Sequence, residues 1–517
     1  MSILSNLSAV KTGPRFVLFA AVSGLLCGLP FTFPGLFFTA WFGIVPFFCT
    51  LLSDSFFGLK KRRAFGTGFV YGFVYCAGIY YWFLRLYPME FVGFTPFEAG
   101  LTVMCAWLGI SALQALCFGF GTLLFRFTGK KSPFALAVVF TLCEYSWHFG
   151  DFALPWCKIG LTQYKFLPFI QSSSLFGGMF VSFLIYLVGG FLASGRGKYY
   201  ILSGVLFFSN LLYGFAVMNM PSQYTDTAQF SLIQGNIASS EKWSGSVGKT
   251  FELFRSLSLE SCEDEPCDFT VWPESAVPVS VNSAFGKEFE SIQKETDSIF
   301  LLGSFGYKEG KVSNSLFMID QNGICEDFYS KRHLVPFGEY LPGGKVLKRL
   351  FPGLGNINML SEDLYQGKTS GIFETPFGKI GGLICFDSIF PSLSRQSVKD
   401  GAQILVLITN DSWYFDSPAV YQHSAQAVFR AVENRRCVVR CANTGISMLI
   451  DEKGRITESL EPLKKGYVTG QMGFTDERTL YFYIGDMLVY VMIGYIIFLA
   501  TEKLKKGDYL WKLKKSR

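Results

Sequence analysis

Long stretches without a charged residue occupy the first part of the chain and predict membrane-spanning helices. Residues 16–53 contain no charged side chain, and one continuous helix of that length would be about twice the ~30 Å thickness of the hydrocarbon layer. Pro30 and Pro34 therefore predict a turn between two spans, because proline removes a backbone donor and clashes inside a helix. Further spans are predicted at 64–84, 100–125, 132–148, 166–195 and 199–225, and an eighth at 481–500. The weakest of them is 132–148, because it contains Glu144.

The positive charges between these segments indicate the topology, because cytoplasmic loops collect lysine and arginine. The clusters are Lys11 with Arg15, residues 60–63, Arg126 with Lys130 and Lys131, and Arg196 with Lys198. They fall on one side of the membrane only if seven segments cross it before the chain leaves the bilayer. We therefore expect a seven-span region at 1–221, an extracytoplasmic domain at 222–479, an eighth transmembrane helix at 480–501 and a basic cytoplasmic tail at 502–517.

Residues 222–479 show a different pattern, with charged residues, frequent turn residues and short apolar runs between them. Strands are predicted at 230–234, 269–272, 299–303, 315–319, 380–385, 404–409 and 437–440, and a helix at 420–436. Strands that alternate with helices indicate an α/β layer structure, in which functional sites gather at strand ends. The sequence thus predicts a multi-span α-helical membrane protein with one α/β outer domain.

The composition agrees with this division. The 517 residues are 50% hydrophobic and 17% charged, with a mean hydropathy of +0.31. These values exclude a disordered chain and disfavour a purely soluble enzyme. The net charge of +6 is concentrated in the tail at 502–517, where contact with anionic lipid headgroups is a better explanation than binding of nucleic acid.

Three predicted strand ends carry groups that could act together in acyl transfer: Glu274, Lys331 and Cys385. Cys385 precedes a helix predicted to begin near Ser388, so helix N-terminal N–H groups and a nearby ammonium could stabilise its thiolate. A carboxylate can deprotonate the thiol, and a lysine can shield the developing oxyanion. Each residue alone is a weak signal, because buried cysteines, turn glutamates and surface lysines are common.

The order of the motifs is more specific than any single one. Trp272-Pro273-Glu274, then Lys331 before Pro336-Phe-Gly-Glu-Tyr, then Cys385 after a Gly-Gly strand resembles the Glu-Lys-Cys signature of the nitrilase superfamily. With the predicted spans, the sequence resembles the membrane-bound apolipoprotein N-acyltransferase family over almost the whole chain. Further matching motifs are Gln234-Gly-Asn-Ile, Lys242-Trp243, Asn410-Asp-Ser-Trp413 and Asn443-Thr-Gly445.

This resemblance implies an αββα nitrilase-like sandwich with Glu274 as general base, Lys331 as oxyanion stabiliser and Cys385 as nucleophile. It implies that a fatty acyl chain passes from a membrane glycerophospholipid through a cysteine thioester to the α-amine of the S-diacylglyceryl cysteine of an apolipoprotein. It places the enzyme in the bacterial cytoplasmic (inner) membrane, with the catalytic domain facing the periplasm. Glu339 would support the site, and Trp243 and Trp413 would lie on its lipid side.

The sequence departs from the family pattern beside the nucleophile. Tyr-Glu typically follows the cysteine, whereas Phe386 and Asp387 follow it here, which removes a hydroxyl group and shortens the acid. We expect these two residues to occupy supporting positions, with a changed secondary role. Phe415 stands where the family usually has glycine, so a bulky side chain occupies a backbone position where glycine's freedom is expected.

Two other function classes remain open from the sequence. The same site could use water, which would make the protein a membrane-bound nitrilase-type amidase. A transporter with a ligand-binding outer domain would need functional polar residues inside the spans, and we expect Glu144 and Asp486 to have structural roles near a membrane interface instead. No cofactor is expected, and with His148, His333 and His423 as the only histidines no metal site is expected either.

The cysteines allow two predictions about pairing. Cys262 and Cys267 flank a predicted loop in the outer domain, where an oxidising compartment would permit a disulfide, and the sequence leaves that pairing open. Cys437 and Cys441 lie on one predicted strand, which at ~3.3 Å per residue holds their Cα atoms too far apart to bond.

Overall fold

The computed structural model describes residues 13–89, 94–238, 241, 246–281, 283, 285–343 and 362–515. Within these residues the chain forms a bundle of apolar helices followed by an α/β domain and a final long helix. The first part contains α1 (Gly13–Thr32), α2 (Thr39–Gly43), α3 (Val45–Leu51), α4 (Asp54–Phe57), α5 (Lys61–Tyr80), α6 (Pro96–Thr128), α7 (Pro133–Tyr145), α8 (Leu167–Ile170), α9 (Ser173–Phe176), α10 (Gly178–Ala193) and α11 (Gly197–Met218).

Among the described residues, five helices are long and apolar enough to cross a membrane: Pro14–Thr32, Lys61–Leu86, Pro96–Thr128, Gly197–Met218 and Met487–Lys505. A sixth crossing is possible if Leu167–Phe176 and Gly178–Ala193 form one span that bends by 116°. The bend falls at Gly177, whose φ of 76° ends one helix and redirects the next. These helices correspond to six of the eight predicted spans.

The other two predicted spans correspond to shorter helices. The second is divided into α2 and α3, because Pro46 lies in the first turn of α3 and cannot donate a hydrogen bond back to the preceding helix. The weak fifth span is α7, whose 13 residues reach only about 20 Å, less than the hydrocarbon thickness. The predicted turn also differs, since Pro30 lies inside α1 and only Pro34 begins the short turn Pro34–Leu36. The count of eight spans stays a prediction.

Glu144 lies at the end of α7, and its expected place near a membrane interface stays a prediction. The side chain is fully buried in the helical bundle. Its Oε1 accepts hydrogen bonds from the hydroxyls of Tyr75 (3.1 Å) and Tyr186 (2.8 Å) and from the backbone N–H of Ile159 (2.9 Å). These donors offset the cost of burying the carboxyl group and tie three segments of the bundle together.

The outer domain is built from thirteen described strands and four helices, followed by a last pair of helices. The strands are β1 (Asp226–Gln234), β2 (Phe269–Trp272), β3 (Ile299–Lys308), β4 (Lys311–Asp320), β5 (Gly323–Ile324), β6 (Tyr329–Ser330), β7 (Ile372–Thr375), β8 (Gly378–Ile384), β9 (Ile404–Thr409), β10 (Val438–Ala442), β11 (Ser447–Ile450), β12 (Ile456–Leu460) and β13 (Gly466–Phe474). The helices are α12 (Val247–Asp264), α13 (Gly286–Thr296), α14 (Pro391–Lys399), α15 (Pro418–Asn434), α16 (Leu480–Ile484) and α17 (Met487–Lys515).

Two sheets stack face to face. The first has the order β13-β1-β2-β3-β4-β5, with β6 paired to β4, and the second has the order β12-β11-β10-β9-β8-β7. Strands β1, β2 and β3 run parallel to one another, as do β8, β9 and β10. Apolar residues of both sheets form one shared cluster, which includes Val271, Leu316, Ile384 and Val406. All seven predicted strands and the helix predicted at 420–436 are confirmed, with small differences at their ends.

Helices cover the outer face of each sheet, which completes the αββα arrangement. Phe254 of α12 and Ile292 of α13 pack with Trp272 against the first sheet. Val428 and Val432 of α15 cover the second sheet, and they belong to the same apolar cluster as the buried residues of the membrane-side helices. The outer domain therefore rests on the helical bundle through the α15 side of the sandwich.

The cysteine predictions have clear outcomes. Cys262 and Cys267 form a disulfide, with their Cα atoms 5.5 Å apart. Cys437 and Cys441 are both free and buried, as predicted. The domain boundaries at 221, 479 and 501 stay predictions, although the outer strands begin at Asp226 and end at Phe474, and α17 continues into the basic tail.

The contact between α5 and α6 depends on a glycine, and this generates a prediction. A Cβ at Gly68 would overlap the backbone oxygen of Phe118 and the side chain of Thr122. We expect Gly68→Ala to lower the free energy of unfolding by about 1–3 kcal/mol, because the two helices must separate. Thermal unfolding in detergent measures the effect.

Gly66 provides a matched control on the same helix, because nothing lies within 4 Å of the position of its Cβ. Gly66→Ala should leave stability unchanged or raise it by up to about 1 kcal/mol, since alanine favours the helix. Equal effects of the two substitutions would contradict close packing at Gly68.

Candidate active site

Three predicted catalytic residues lie where strands of the two sheets end. Glu274 follows β2 after Pro273, Lys331 follows β6 directly, and Cys385 follows β8 directly. Glu274 and Lys331 come from the first sheet and Cys385 from the second, so the site lies between the sheets at one end of the sandwich. The alternation of strands and turns in the sequence thus brings together groups that are far apart along the chain.

The ammonium of Lys331 lies between two carboxylates of the site, Glu274 and Glu339. Its Nζ donates to Glu274 Oε1 at 3.2 Å and to Glu339 Oε1 at 2.8 Å, and its side chain is 1% exposed. Burial alone would lower the pKa of Lys331, but the two carboxylates raise it well above its usual value. Lys331 is therefore a fixed positive charge at neutral pH.

Both carboxylates are held by further donors. Asn314 Nδ2 donates to Glu274 Oε1 at 2.7 Å and to Glu339 Oε1 at 3.1 Å. The backbone N–H of Asn410 donates to Glu274 Oε2 at 2.7 Å, and that of Val335 donates to Glu339 Oε2 at 2.8 Å. These bonds fix the direction in which Glu274 points, and they place Glu339 on the other side of the Lys331 ammonium.

Cys385 lies at a sharp turn. Its φ is 49°, a left-handed conformation that is uncommon for residues other than glycine. The residue is 7% exposed. Burial, and then the negative charge of Glu274, raise the pKa of the Cys385 thiol well above its usual value, while the charge of Lys331 lowers it. The resting group is a neutral thiol, so it needs a base before it can act as a nucleophile.

The turn after Cys385 differs from the predicted helix near Ser388. A 3₁₀ turn spans Cys385–Ile389, and α14 begins only at Pro391. Proline suits the first turn of a helix, whereas the residue before it is kept out of helical geometry, which moves the helix start beyond Phe390. A helix N-terminus at Cys385 is thus replaced by a short turn.

Asp387 joins the nucleophile turn to the loop that carries Lys331. Its Oδ2 accepts hydrogen bonds from the Tyr329 hydroxyl (2.6 Å) and the Ile384 N–H (3.1 Å). Its Oδ1 accepts from the N–H groups of Arg332 (3.2 Å) and His333 (2.7 Å). Burial raises the pKa of this carboxyl group, and the donors oppose that effect. The shorter side chain of Asp387 thus reaches all four donors directly, and it has a structural position.

The roles of the other expected site residues stay predictions, and the structure gives the positions of Phe386, Trp413 and Phe415. Phe386 is buried and packs edge-on against Phe390. Trp413 is half-buried in the turn Ser412–Tyr414, close to Asn410. Phe415 has a φ of 47° and a ψ of −146°, so the glycine-type backbone inferred from the family pattern is present with a bulky residue on it. Trp243 lies outside the described residues.

The sequence analysis missed a buried polar group behind the nucleophile. Cys385, Asp411 and His423 each offer an atom that lies within 4.8 Å of the others. Asp411 also pairs with Arg440, whose Nη2 lies 2.7 Å from Asp411 Oδ2. One signal was available in the sequence, because Arg440 lies in an apolar strand, where a cation requires a buried partner.

A cavity of about 270 Å³ lies between the membrane-side helices and the outer domain. Its walls include Lys158 and Gly178 from the helical part and His333, Phe390 and Arg430 from the outer domain. Glu274, Lys331 and Cys385 do not line it. The cavity thus borders the loops that carry Lys331 and Cys385 but is separate from the three catalytic candidates.

Comparison with known proteins agrees with this architecture. Residues 229–479 match the family model described as Carbon-nitrogen hydrolase, and residues 23–191 match the Apolipoprotein N-acyltransferase N-terminal domain. The Apolipoprotein N-acyltransferase of Geobacter metallireducens is 33% identical over 507 residues, which cover 93% of this chain and 94% of that protein. The chain belongs to the apolipoprotein N-acyltransferase family.

A second relative is similar over a comparable length, and one solved structure aligns with about half of the chain. The Apolipoprotein N-acyltransferase of Thermotoga maritima is 29% identical and aligns over 92% of this chain and 91% of its own. A crystal structure of Saccharomyces cerevisiae Nit3, a member of branch 10 of the nitrilase superfamily, aligns with 51% of this chain and 96% of its own, at a TM-score of 0.39 and 18% identity. Membership of the N-acyltransferase family does not favour the amidase or the transporter alternative.

The opposing charges around Cys385 generate a prediction. Glu274→Gln should lower the pKa of the Cys385 thiol, because it removes the negative charge that raises that pKa. Lys331→Met should raise it further, because it removes the positive charge that lowers it. The pH dependence of iodoacetamide alkylation at Cys385, followed by peptide mass spectrometry, measures both shifts.

Cys325 is the control for this experiment, because it is a free, partly buried cysteine of the same domain whose pKa is raised by burial and by Asp320 and Asp327. Its alkylation profile should be the same in both variants. Shifts of the same sign at Cys385 in the two variants would contradict the assigned charges.

Proposed function

We propose that this protein transfers a fatty acyl chain from a membrane glycerophospholipid to the α-amine of the S-diacylglyceryl cysteine of apolipoproteins. One observation carries the proposal for the site: a buried ammonium, Lys331, bonds two carboxylates next to a buried, neutral thiol on a strained turn. This combination supplies a base, a nucleophile and a positive charge without a metal ion or a cofactor.

The first half-reaction forms a thioester. Glu274 accepts the proton of the Cys385 thiol while Sγ forms a bond to the ester carbonyl carbon of the phospholipid. Lys331 stabilises the negative charge that develops on the carbonyl oxygen. The ester C–O bond then breaks, the proton passes from Glu274 to the leaving oxygen, and a lysophospholipid departs.

The second half-reaction forms an amide. The α-amine of the lipoprotein cysteine attacks the thioester carbonyl carbon, and Glu274 accepts the proton that the amine loses. The C–S bond breaks, and Cys385 recovers a proton from Glu274 as the thiol. The two substrates thus react in sequence at one nucleophile, which is ping-pong chemistry.

Glu339 supports this cycle through Lys331. Because Lys331 bonds both Glu274 and Glu339, it keeps a carboxylate partner during the steps in which Glu274 is protonated. A buried ammonium that lost its only partner would be strongly destabilised. We therefore assign to Glu339 the role of holding Lys331 charged and in position.

The contact between the site and the membrane-side helices favours a lipid as the substrate. Tyr414, in the turn that carries Trp413, packs edge-on against Trp82 of the turn Tyr81–Leu86, with ring centroids 5.1 Å apart. The site's own loops therefore contact the helical bundle directly. A substrate that keeps its acyl chains in the bilayer avoids a cost of about 0.8 kcal/mol for each methylene moved into water.

The same reasoning gives the proposed location. The bundle would lie in the bacterial cytoplasmic membrane, with residues 222–479 on the periplasmic face and the tail at 502–517 in the cytoplasm. The asymmetry of lysine and arginine between the loops supports this orientation. Trp243 and Trp413 are proposed to face the lipid side of the site.

Trapping of the thioester tests the catalytic proposal. The purified protein, incubated with a phospholipid that is radiolabelled in its acyl chains, should gain label that hydroxylamine removes. Cys385→Ala should gain none, because it lacks the nucleophile. Glu274→Gln should form the thioester about 10²–10⁴-fold more slowly, since it lacks the base.

The matched control is Cys325→Ala, which removes a free cysteine elsewhere in the outer domain. It should label like the unaltered protein. Equal labelling of Cys385→Ala would exclude the proposed nucleophile, and release of free fatty acid without acylated lipopeptide would favour the amidase alternative.

A further inference from the structure

A chain of three buried ionisable side chains runs behind the nucleophile. Arg440 Nη2 lies 2.7 Å from Asp411 Oδ2, and Asp411 Oδ1 lies 2.8 Å from His423 Nδ1. All three side chains are completely buried. Burial alone would raise the pKa of Asp411, but the charge of Arg440 and the hydrogen bonds with His423 and Arg440 hold it well below its usual range, so Asp411 is a carboxylate.

The far side of the His423 ring faces the main chain of the nucleophile. His423 Nε2 lies 3.2 Å from the carbonyl oxygen of Cys385 and 3.2 Å from Ser388 Oγ. The Ser388 hydroxyl donates to the same carbonyl oxygen at 2.8 Å. A carbonyl oxygen can only accept hydrogen bonds, so the ring bonds to it through an Nε2–H group.

The hydrogen bond from His423 stabilises the unusual backbone conformation of Cys385. Cys385 has a φ of 49°, and a residue other than glycine in this conformation needs surrounding contacts that hold it there. The carbonyl of Cys385 is the group that two donors fix, one from His423 and one from Ser388. These contacts hold the main chain of Cys385, from which the side chain with Sγ projects.

The ring itself is fixed from the membrane side. Trp156 stacks on His423 with ring centroids 5.4 Å apart and an interplanar angle of 23°. Trp156 Nε1 donates to Gln422 Oε1 at 2.8 Å, and Gln422 Nε2 donates to the backbone oxygens of Phe31 and Ile79 at 3.2 and 3.3 Å. The position of His423 thus depends on both domains.

We infer that His423 is a positioning residue for acyl transfer: held by Asp411 and Arg440, its Nε2–H group fixes the carbonyl of Cys385 and keeps the thiol aimed at the substrate. His423 does not take the thiol proton in this scheme, since both ring nitrogens are engaged by other groups. The inference rests on the proposed function, in which Cys385 is the acylated residue.

Two amide substitutions separate positioning from simple structural support. In His423→Gln the side-chain amide nitrogen reaches about as far as Nε2, so it can donate to the Cys385 carbonyl. In His423→Asn the amide nitrogen lies near the place of Nδ1, so it can donate to Asp411 only. We expect Asn to slow thioester formation by about 100-fold, because the nucleophile is misplaced, and Gln to slow it by at most about 5-fold.

Each variant is measured in the full-length protein in detergent, by single-turnover thioester formation with radiolabelled phospholipid and by the thermal unfolding midpoint. A purely structural role, which requires only the bond to Asp411, predicts the reverse order, with Asn the milder change. Equal rates in the two variants, or a faster Asn variant, would overturn the inference.

Alkylation of Cys385 by iodoacetamide, read by peptide mass spectrometry, makes the test independent of the lipid substrate. If the unaltered protein forms no thioester, the proposed function fails, yet the same order of Gln over Asn in alkylation rate still supports positioning. If neither His423 variant folds, Ser388→Ala decides, because it removes the second donor to the carbonyl. A rate lowered by about 5-fold supports the inference and an unchanged rate overturns it.

Discussion

The buried ammonium of Lys331 is the interaction on which the catalytic geometry depends. A single positive charge is shared by Glu274 and Glu339, and a side-chain amide, Asn314, bridges the same two carboxylates from another strand. Removing the ammonium would leave two buried carboxylates without a compensating charge, which is costly in a protein interior. This cost keeps the three groups together. The charge of Glu274 then raises the pKa of Cys385, and the charge of Lys331 lowers it.

Much of this arrangement could be predicted from the sequence, because apolar runs between turn residues define strands and strand ends define where side chains meet. The strand ends alone were weak signals for Glu274, Lys331 and Cys385, and the resemblance of their motif order to the nitrilase signature predicted a common site. The helix start after Cys385 was wrong, because Pro391 forbids a helical residue before it. The group of Asp411, His423 and Arg440 was missed, since each lies on a different element and only the fold brings them together.

The hydropathy of a segment did not by itself predict a helix long enough to cross a membrane. Residues 39–51 and 133–145 are as apolar as the long helices, yet Pro46 divides the first and the second has only 13 residues. Glu144 shows that an acid inside an apolar segment is also hard to interpret from the sequence. Its hydrogen-bond donors, Tyr75 and Tyr186, lie far away in the chain. Tertiary partners of this kind leave no local pattern.

The shared apolar cluster that joins α15 to the helical bundle has a consequence for protein production. Residues such as Val428 and Val432 bury their surface between the second sheet and the membrane-side helices. A truncated fragment containing only residues 222–479 would expose that face to solvent and invite self-association. The fragment would also lack Trp156, which stacks on the His423 ring. The surroundings of Cys385 would therefore lose a contact that holds His423 in place.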